Sequence, residues 1–197
     1  MDLHFPLHST FLAIPLEGAA KAAFQELQHH LKDFDDILRF QNPESPHLTL
    51  QFWKEVMEIE YYQIIPQCKK IADAASPFTV KVQGVSTFGS RGEDRVLFLN
   101  IPFSDELARL KKRCPWPNIE AFTPHITLAR IKHPQKFAVH RKKIMKLIDD
   151  VEFVMTVDRV RLYAEIEGVK QTALQDFIFK AQSTKSEANS NFKYLNL

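Results

Sequence analysis

Cysteine is scarce in this chain, and its placement excludes more than its number does. Cys68 and Cys114 are the only two, and they stand in neither a CxxC pair nor a metal-finger spacing. They read as reduced thiols of the kind a cytosolic compartment keeps. No apolar run approaches the ~20 residues that a membrane span needs. No charged-then-apolar leader opens the sequence either. A soluble, cytoplasmic protein without membrane association is therefore expected. One-sided charge is missing as well. Lys and Arg number 26 against 24 Asp and Glu, a net charge of +2. That is too balanced for a dedicated duplex-DNA binder but compatible with a pocket that collects one or two phosphates. Apolar material, by contrast, is plentiful: 45% of residues are hydrophobic and 16 are Phe. Such a chain buries a core, and disorder is expected only at its ends. Its 197 residues suit one large domain or two small intertwined lobes.

One hexapeptide is written twice. Ser45-Pro46-His47-Leu48-Thr49-Leu50 returns as Thr123-Pro124-His125-Ile126-Thr127-Leu128, matching class for class, and it takes two of the 8 His. Each copy alternates polar and apolar with period two, the pattern of a half-buried strand. His47 and Thr49 then share one face, and His125 and Thr127 share another. Leu48, Leu50 and Phe52 of the first copy's strand, and Ile126 and Leu128 of the second, point into a core. Pro46 holds the residue before it in extended geometry, a fair strand entry.

The remaining chain reads as strands and amphipathic helices in alternation. Residues 10–14 form a first strand closed by Pro15, an edge strand on this reading. Residues 17–33 form a helix with Ala20, Ala23, Phe24, Leu27 and Leu31 inward, His29 and His30 sitting near its C-terminus for the dipole. A short strand at 37–40 turns into the first motif. Residues 58–75 form a second helix, in which Pro66 predicts a kink or a later start. Strands follow at 78–85 and 95–102, with 87–94 between them as the best candidate for a mobile loop. Ser104 caps a third helix carrying Leu107 and Leu110. Its terminal Lys111-Lys112-Arg113 reads as a solvated helix end, or as a contact to nucleic acid. A fourth helix at 136–149 turns Val139, Ile144, Leu147 and Ile148 inward. Strands at 152–157, 159–166 and 174–180 complete the order, with a turn at Glu167-Gly168. The class is α+β: two antiparallel sheets in a bilobal, pseudo-twofold arrangement, helices on their outer faces and a cleft between lobes. Residues 1–181 make this domain, and 182–197 read as a polar, flexible tail.

A lone His on a strand is more often packed or merely exposed than catalytic, and the duplication shifts that balance. Imidazole titrates near pH 6.5, so one of a facing pair can be neutral while the other is protonated. The pair then supplies a general base and a general acid together. Each Thr sets a hydroxyl beside its imidazole, a suitable donor to the non-bridging oxygens of a phosphate. Two His and two hydroxyls around one phosphorus make a layout for phosphodiester cleavage. The competing readings are weaker. A zinc site lacks a third ligand at motif spacing, so no metal is expected, and neither motif resembles a nucleophile elbow.

The two copies, the second extended by Ala129-Arg130, resemble the paired signatures of the two-histidine phosphoesterase superfamily. The branch they are most similar to is the RNA 2′,3′-cyclic phosphodiesterase or 2′-5′ RNA ligase family (LigT-like). Phe11-Leu12-Ala13-Ile14, Phe88-Gly89 before Arg95-Val96-Leu97-Phe98-Leu99, and Arg161-Leu162-Tyr163 also resemble it. The likeness covers residues 9–180. Departures lie at Ser45-Pro46, where the family has Asn-Leu, and at 164–174, where it carries a Ser-containing turn and a Tyr-bearing strand. The resemblance implies a monomer with no cofactor that acts on RNA 3′ ends or small oligonucleotides. His125 would activate water, His47 would protonate the leaving 3′-oxygen, and Thr49 and Thr127 would hold the phosphate. Arg130 would bind substrate, but strict alternation puts it on the face opposite His125. It needs a bulge or a strand end to reach a phosphate. A 2′-5′ oligoadenylate or another small cyclic nucleotide is the alternative substrate, and an RNA-binding module without turnover is the alternative class.

Overall fold

The computed structural model describes residues 2–117 and 121–180, so the tail expected at 182–197 lies outside the described residues. Its elements run β1 (Leu7–Pro15), α1 (Gly18–His30), β2 (Leu38–Phe40), β3 (His47–Val56), α2 (Glu58–Asp73), β4 (Phe78–Gln83), β5 (Val85–Ser90) and β6 (Glu93–Asn100). They continue with α3 (Asp105–Lys112), β7 (His125–Ile131), α4 (Pro134–Lys146), β8 (Glu152–Val157), β9 (Arg159–Ile166) and β10 (Val169–Ile178). The main sheet is antiparallel in the order β10-β9-β1-β3-β7-β6-β5, with β2 on β7, and β4 pairs β8 in a small second sheet. The α+β expectation holds. In the main sheet the half β10-β9-β1-β3 meets the half β7-β6-β5 at one registered pair, Leu48 with Ile126. The doubled motif is therefore the seam of the molecule.

One face of the sheet carries the helices. Leu12, Ile14, Leu48, Leu50, Leu97, Leu99, Ile126, Leu128 and Leu162 join Phe24, Leu27, Ile64, Leu107 and Phe137 from the four helices in one continuous buried cluster. The motif aliphatics lie in it, as their alternation predicts, whereas Phe52, expected to join them, is 55% exposed because the register of its strand shifts at Leu50. On the opposite face Phe11, Ala13 and Tyr163 form a separate small cluster. Among the described residues no helix is long and apolar enough to cross a membrane. Both cysteines are free and buried, and burial pushes the thiols up to about 12 for Cys68 and about 11 for Cys114.

Four local expectations change. β1 lies between β3 and β9, so it is a central strand, and Pro15 only ends it. α2 passes through Pro66 unbroken. Residues 87–94 form an ordered hairpin closed by Arg91 and Gly92, at φ 53 and 78. Positive φ at both central residues matches the type I′ turn that suits the strand twist. Val139 and Leu147 face outward, 79% and 44% exposed, because the inward stripe of α4 runs through Pro134, Phe137 and Ile144.

Candidate active site

His47 opens β3 and His125 opens β7, and both rings are held the same way. The Nδ1 of His47 lies 2.7 Å from the carbonyl oxygen of Ser45, and that of His125 lies 2.8 Å from the carbonyl oxygen of Thr123. A carbonyl only accepts, so each Nδ1 donates its hydrogen. That sets the tautomer and leaves each Nε2 as the ring nitrogen available for chemistry. The hydroxyl-Pro-His word explains the shared geometry. Proline forces the residue before it into extended backbone, and here that residue's carbonyl turns back onto the imidazole. Around the single joining pair, the antiparallel sense of β3 and β7 sets His47 beside Thr127 and Thr49 beside His125. The two His and two Thr therefore gather on one patch of the sheet, opposite the helices.

Aromatic rings from the neighbouring strands back each imidazole. Phe11 of β1 stacks on His47 at 4.6 Å, and Tyr163 of β9 lies 5.6 Å from it. Phe88 of β5 and Phe98 of β6 meet His125 edge-on, at 4.8 and 5.4 Å. Phe11 pairs with Tyr163 across β1 and β9, and Phe88 stacks on Phe98 across β5 and β6 at 3.9 Å. Burial holds the pKa of His47 below its ordinary value; the Ser45 carbonyl opposes the shift and the charge of His125 adds to it.

Each motif strand carries a β-bulge just past its Thr. In β3 the register steps from Thr49 opposite Ala13 to Gln51 opposite Leu12, leaving Leu50 extra. In β7 it steps from Thr127 opposite Phe98 to Ala129 opposite Leu97, leaving Leu128 extra. Beyond a bulge the side-chain alternation changes phase. Ala129 and Ile131 are buried and Arg130 is exposed, so Arg130 shares the face of His125 and Thr127. The obstacle raised by strict alternation is removed. Arg39 of β2 stands directly across from Arg130, and neither guanidinium makes an ion pair among the described residues.

The carbonyls of both bulge residues are taken by side chains that the sequence did not single out for this role. Gln28 of α1 donates to the Leu128 oxygen at 3.2 Å, beside the Gln41 backbone N–H at 3.0 Å. Lys111 of α3 donates to the Leu50 oxygen, and its ammonium also lies 5.3 Å over the Phe122 ring. Lys111 is 7% exposed, so the reading of residues 111–113 as a solvated helix end fails at its first member. Burial lowers the pKa of this lysine. An amphipathic count of α3 would have found it, since Lys111 follows Leu107 by four and belongs to the inward stripe.

A cleft of about 730 Å³ opens beside the patch, lined by Thr49, Gln51, Phe52, Phe88, Phe122 and His125 and also by Lys111. At the other end of the patch Ser45 donates to the side-chain oxygen of Gln171 at 2.8 Å. The two stretches that depart from the family pattern thus touch each other next to His47. Arg161 is paired to Asp176 and to Glu17 and lies 5.9 Å over the Tyr163 ring. Among the described residues no group of three or more His, Cys, Asp or Glu gathers as a metal site would need.

Residues 15–168 match the model of the 2′-5′ RNA ligase superfamily. The chain belongs to the 2′-5′ RNA ligase superfamily. A Thermotoga maritima protein named RNA 2′,3′-cyclic phosphodiesterase is 29% identical over 167 residues, 79% of this chain and 85% of that one. A Methanothermobacter thermautotrophicus protein of the same name is 24% identical over 151 residues, 73% of this chain and 80% of the other. Among solved structures, a Thermus thermophilus protein overlays with a TM-score of 0.68 at 23% identity, covering 89% of this chain and all of the other. Escherichia coli LigT complexed with 3′-AMP gives 0.66 at 18% identity over 88% and 98% of the two chains. The expected two-histidine phosphoesterase family therefore holds, and with it the enzyme class of phosphodiesterase.

Proposed function

We propose that this member of the 2′-5′ RNA ligase superfamily is a metal-independent phosphodiesterase opening the terminal 2′,3′-cyclic phosphate of RNA to a 2′-phosphate. The observation that carries the reading is the matched pair of Nδ1–carbonyl contacts at His47 and His125. Two imidazoles held in one tautomer on one patch can act as base and acid in the same turnover. In the proposed step the Nε2 of His125 takes a proton from water as the water oxygen bonds to phosphorus. The bond from phosphorus to O3′ breaks, and His47 gives its proton to that oxygen. Thr49 and Thr127 donate to the non-bridging oxygens, and Arg130 takes phosphate charge on the same face. His47 prefers the neutral form in the free protein, so its proton comes with the substrate: an anion within reach favours the imidazolium. With a 5′-hydroxyl in place of water, the same events would leave a 2′-5′ linkage, the ligase direction.

The test is the product from an oligonucleotide ending in a 2′,3′-cyclic phosphate, compared with a 2′-5′-linked oligoadenylate. A 2′-phosphate is expected from the first, unaffected by EDTA. His47→Ala and His125→Ala should each cost at least the roughly 10²–10⁴-fold that general acid or base catalysis contributes. Either variant staying within a few-fold of the parent would overturn the mechanism. RNA binding with no hydrolysis at any pH would favour a binding module instead.

A further inference from the structure

We propose that Gln171 is a positioning residue for His47, acting through Ser45; the inference rests on the phosphodiesterase reading above. The His47 ring is oriented by the Ser45 carbonyl, which lies 2.7 Å from its Nδ1. That carbonyl belongs to the peptide leading into Pro46, which offers no N–H as a second anchor. The residues on either side are held. The Leu16 N–H donates to the Pro46 oxygen at 2.9 Å, and Lys21 and Gln25 of α1 donate to the Glu44 carboxylate at 2.7 and 3.3 Å. Ser45 itself has its N–H on the Asn42 oxygen at 3.3 Å. Its hydroxyl makes the shorter tie, donating to the Gln171 Oε1 at 2.8 Å. This bond joins residues 126 apart, from β10 to the entry of β3.

Gln171 takes a costly backbone to make the bond. β10 gains one residue on β9 between Val169, opposite Ile166, and Thr172, opposite Ala164. Gln171 stands in this bulge at φ 62. A left-handed backbone is unfavourable for a residue with a Cβ and persists where its surroundings over-determine it. A bulge also re-aims a side chain, and here the side chain of an edge strand is turned onto Ser45. The second motif supplies the comparison. Thr123 holds His125 by the same carbonyl contact at 2.8 Å, yet among the described residues its hydroxyl has no such tie. The extra restraint falls on the histidine that must deliver a proton to the leaving oxygen. With Nδ1–H fixed on the carbonyl, the Nε2 proton points in one direction, and the transfer depends on that alignment. A Ser45 released from Gln171 lets the carbonyl swing, and the ring with it.

The experiment reads the ring and the rate in Gln171→Ala, Ser45→Ala, the double variant and Ser45→Thr. Imidazole nitrogen NMR above the histidine titration should show the Nδ1–H tautomer for His47 in the parent. Both alanine variants should move His47 toward a mixture of tautomers, while His125, on its own carbonyl, keeps the parent signal. On an oligonucleotide ending in a 2′,3′-cyclic phosphate, kcat should fall about 2- to 12-fold in each, the loss that one ordinary hydrogen bond corresponds to. KM should stay unchanged. The double variant should be no slower than either single one, because both remove the same link. Ser45→Thr keeps the hydroxyl, in the setting that Thr123 already fills before Pro124, and should restore both readouts. An unmoved tautomer, or the parent kcat in both alanine variants, overturns the proposal and leaves the phosphodiesterase reading standing. A parent that hydrolyses no such end removes that reading, and the tautomer alone then decides whether Gln171 orients His47.

Discussion

His47 and His125 sit in matching words of sequence but in different surroundings. His47 lies under the stacked ring of Phe11 and close to Tyr163, whereas His125 meets its aromatic neighbours edge-on. Burial keeps the proton off His47 in the free protein. Since the unfolded chain retains the ordinary value near 6.5, it binds more protons than the native state between the two pKa values. His47 thus contributes stability that is complete above about pH 6.5 and declines as pH falls toward its lowered native pKa. In an NMR titration of the free protein His47 should become charged below the ordinary histidine range. Inorganic phosphate at the site should move that midpoint upward, and Phe11→Ala should do the same by admitting water. A His47 midpoint at or above 6.5 without phosphate would contradict this account. The identity and the facing of these residues were legible because period two survives in each hexapeptide. The rings behind them were not, because Phe11, Phe88, Phe98 and Tyr163 come together only through strand pairing.

At the scale of an element, alternation was a good guide up to each bulge and misleading past it. A bulge is one extra residue whose cause lies in the partner strand and in what takes its carbonyl, neither of which has a local sequence mark. This is why Arg130 reads onto the wrong face from sequence and why the carbonyl partners of Lys111 and Gln28 were not legible, even though the α3 stripe marks Lys111 as inward. Lys111 binds the Leu50 oxygen from within the core, and Leu50 directly follows Thr49. Lys111→Met keeps length and apolar volume while removing the donor. It should lower stability by about 1–3 kcal/mol, the cost of a buried acceptor left without a partner. It should also lower kcat, because the backbone that presents Thr49 loses its tether. A chemical denaturation curve and a steady-state assay on the same preparation check both effects. Full kcat in a destabilised variant would confine Lys111 to stability alone.

Across the whole molecule, the two halves share one core rather than owning two. Residues of β1, β3, β6, β7 and β9 and of all four helices belong to one buried cluster, although the main-sheet halves β10-β9-β1-β3 and β7-β6-β5 touch in register at only Leu48 and Ile126. The α+β class and the two-part layout were legible from the order of elements. The closure of the sheet at a single pair was not, since register across a seam depends on how the lobes pack. Because a shared core links both halves, unfolding should be one cooperative transition, followed equally by far-UV circular dichroism and by Trp53 and Trp116 fluorescence. Leu48 is fully buried at the seam, and Leu48→Ala should cost about 2–5 kcal/mol. It should loosen the spacing of His47 and His125 together, so activity at a temperature where the variant is still folded should fall as well. Two separated transitions, or a variant as active as the parent at that temperature, would mean that the halves are independent bodies and that the pair is aligned by something other than the seam.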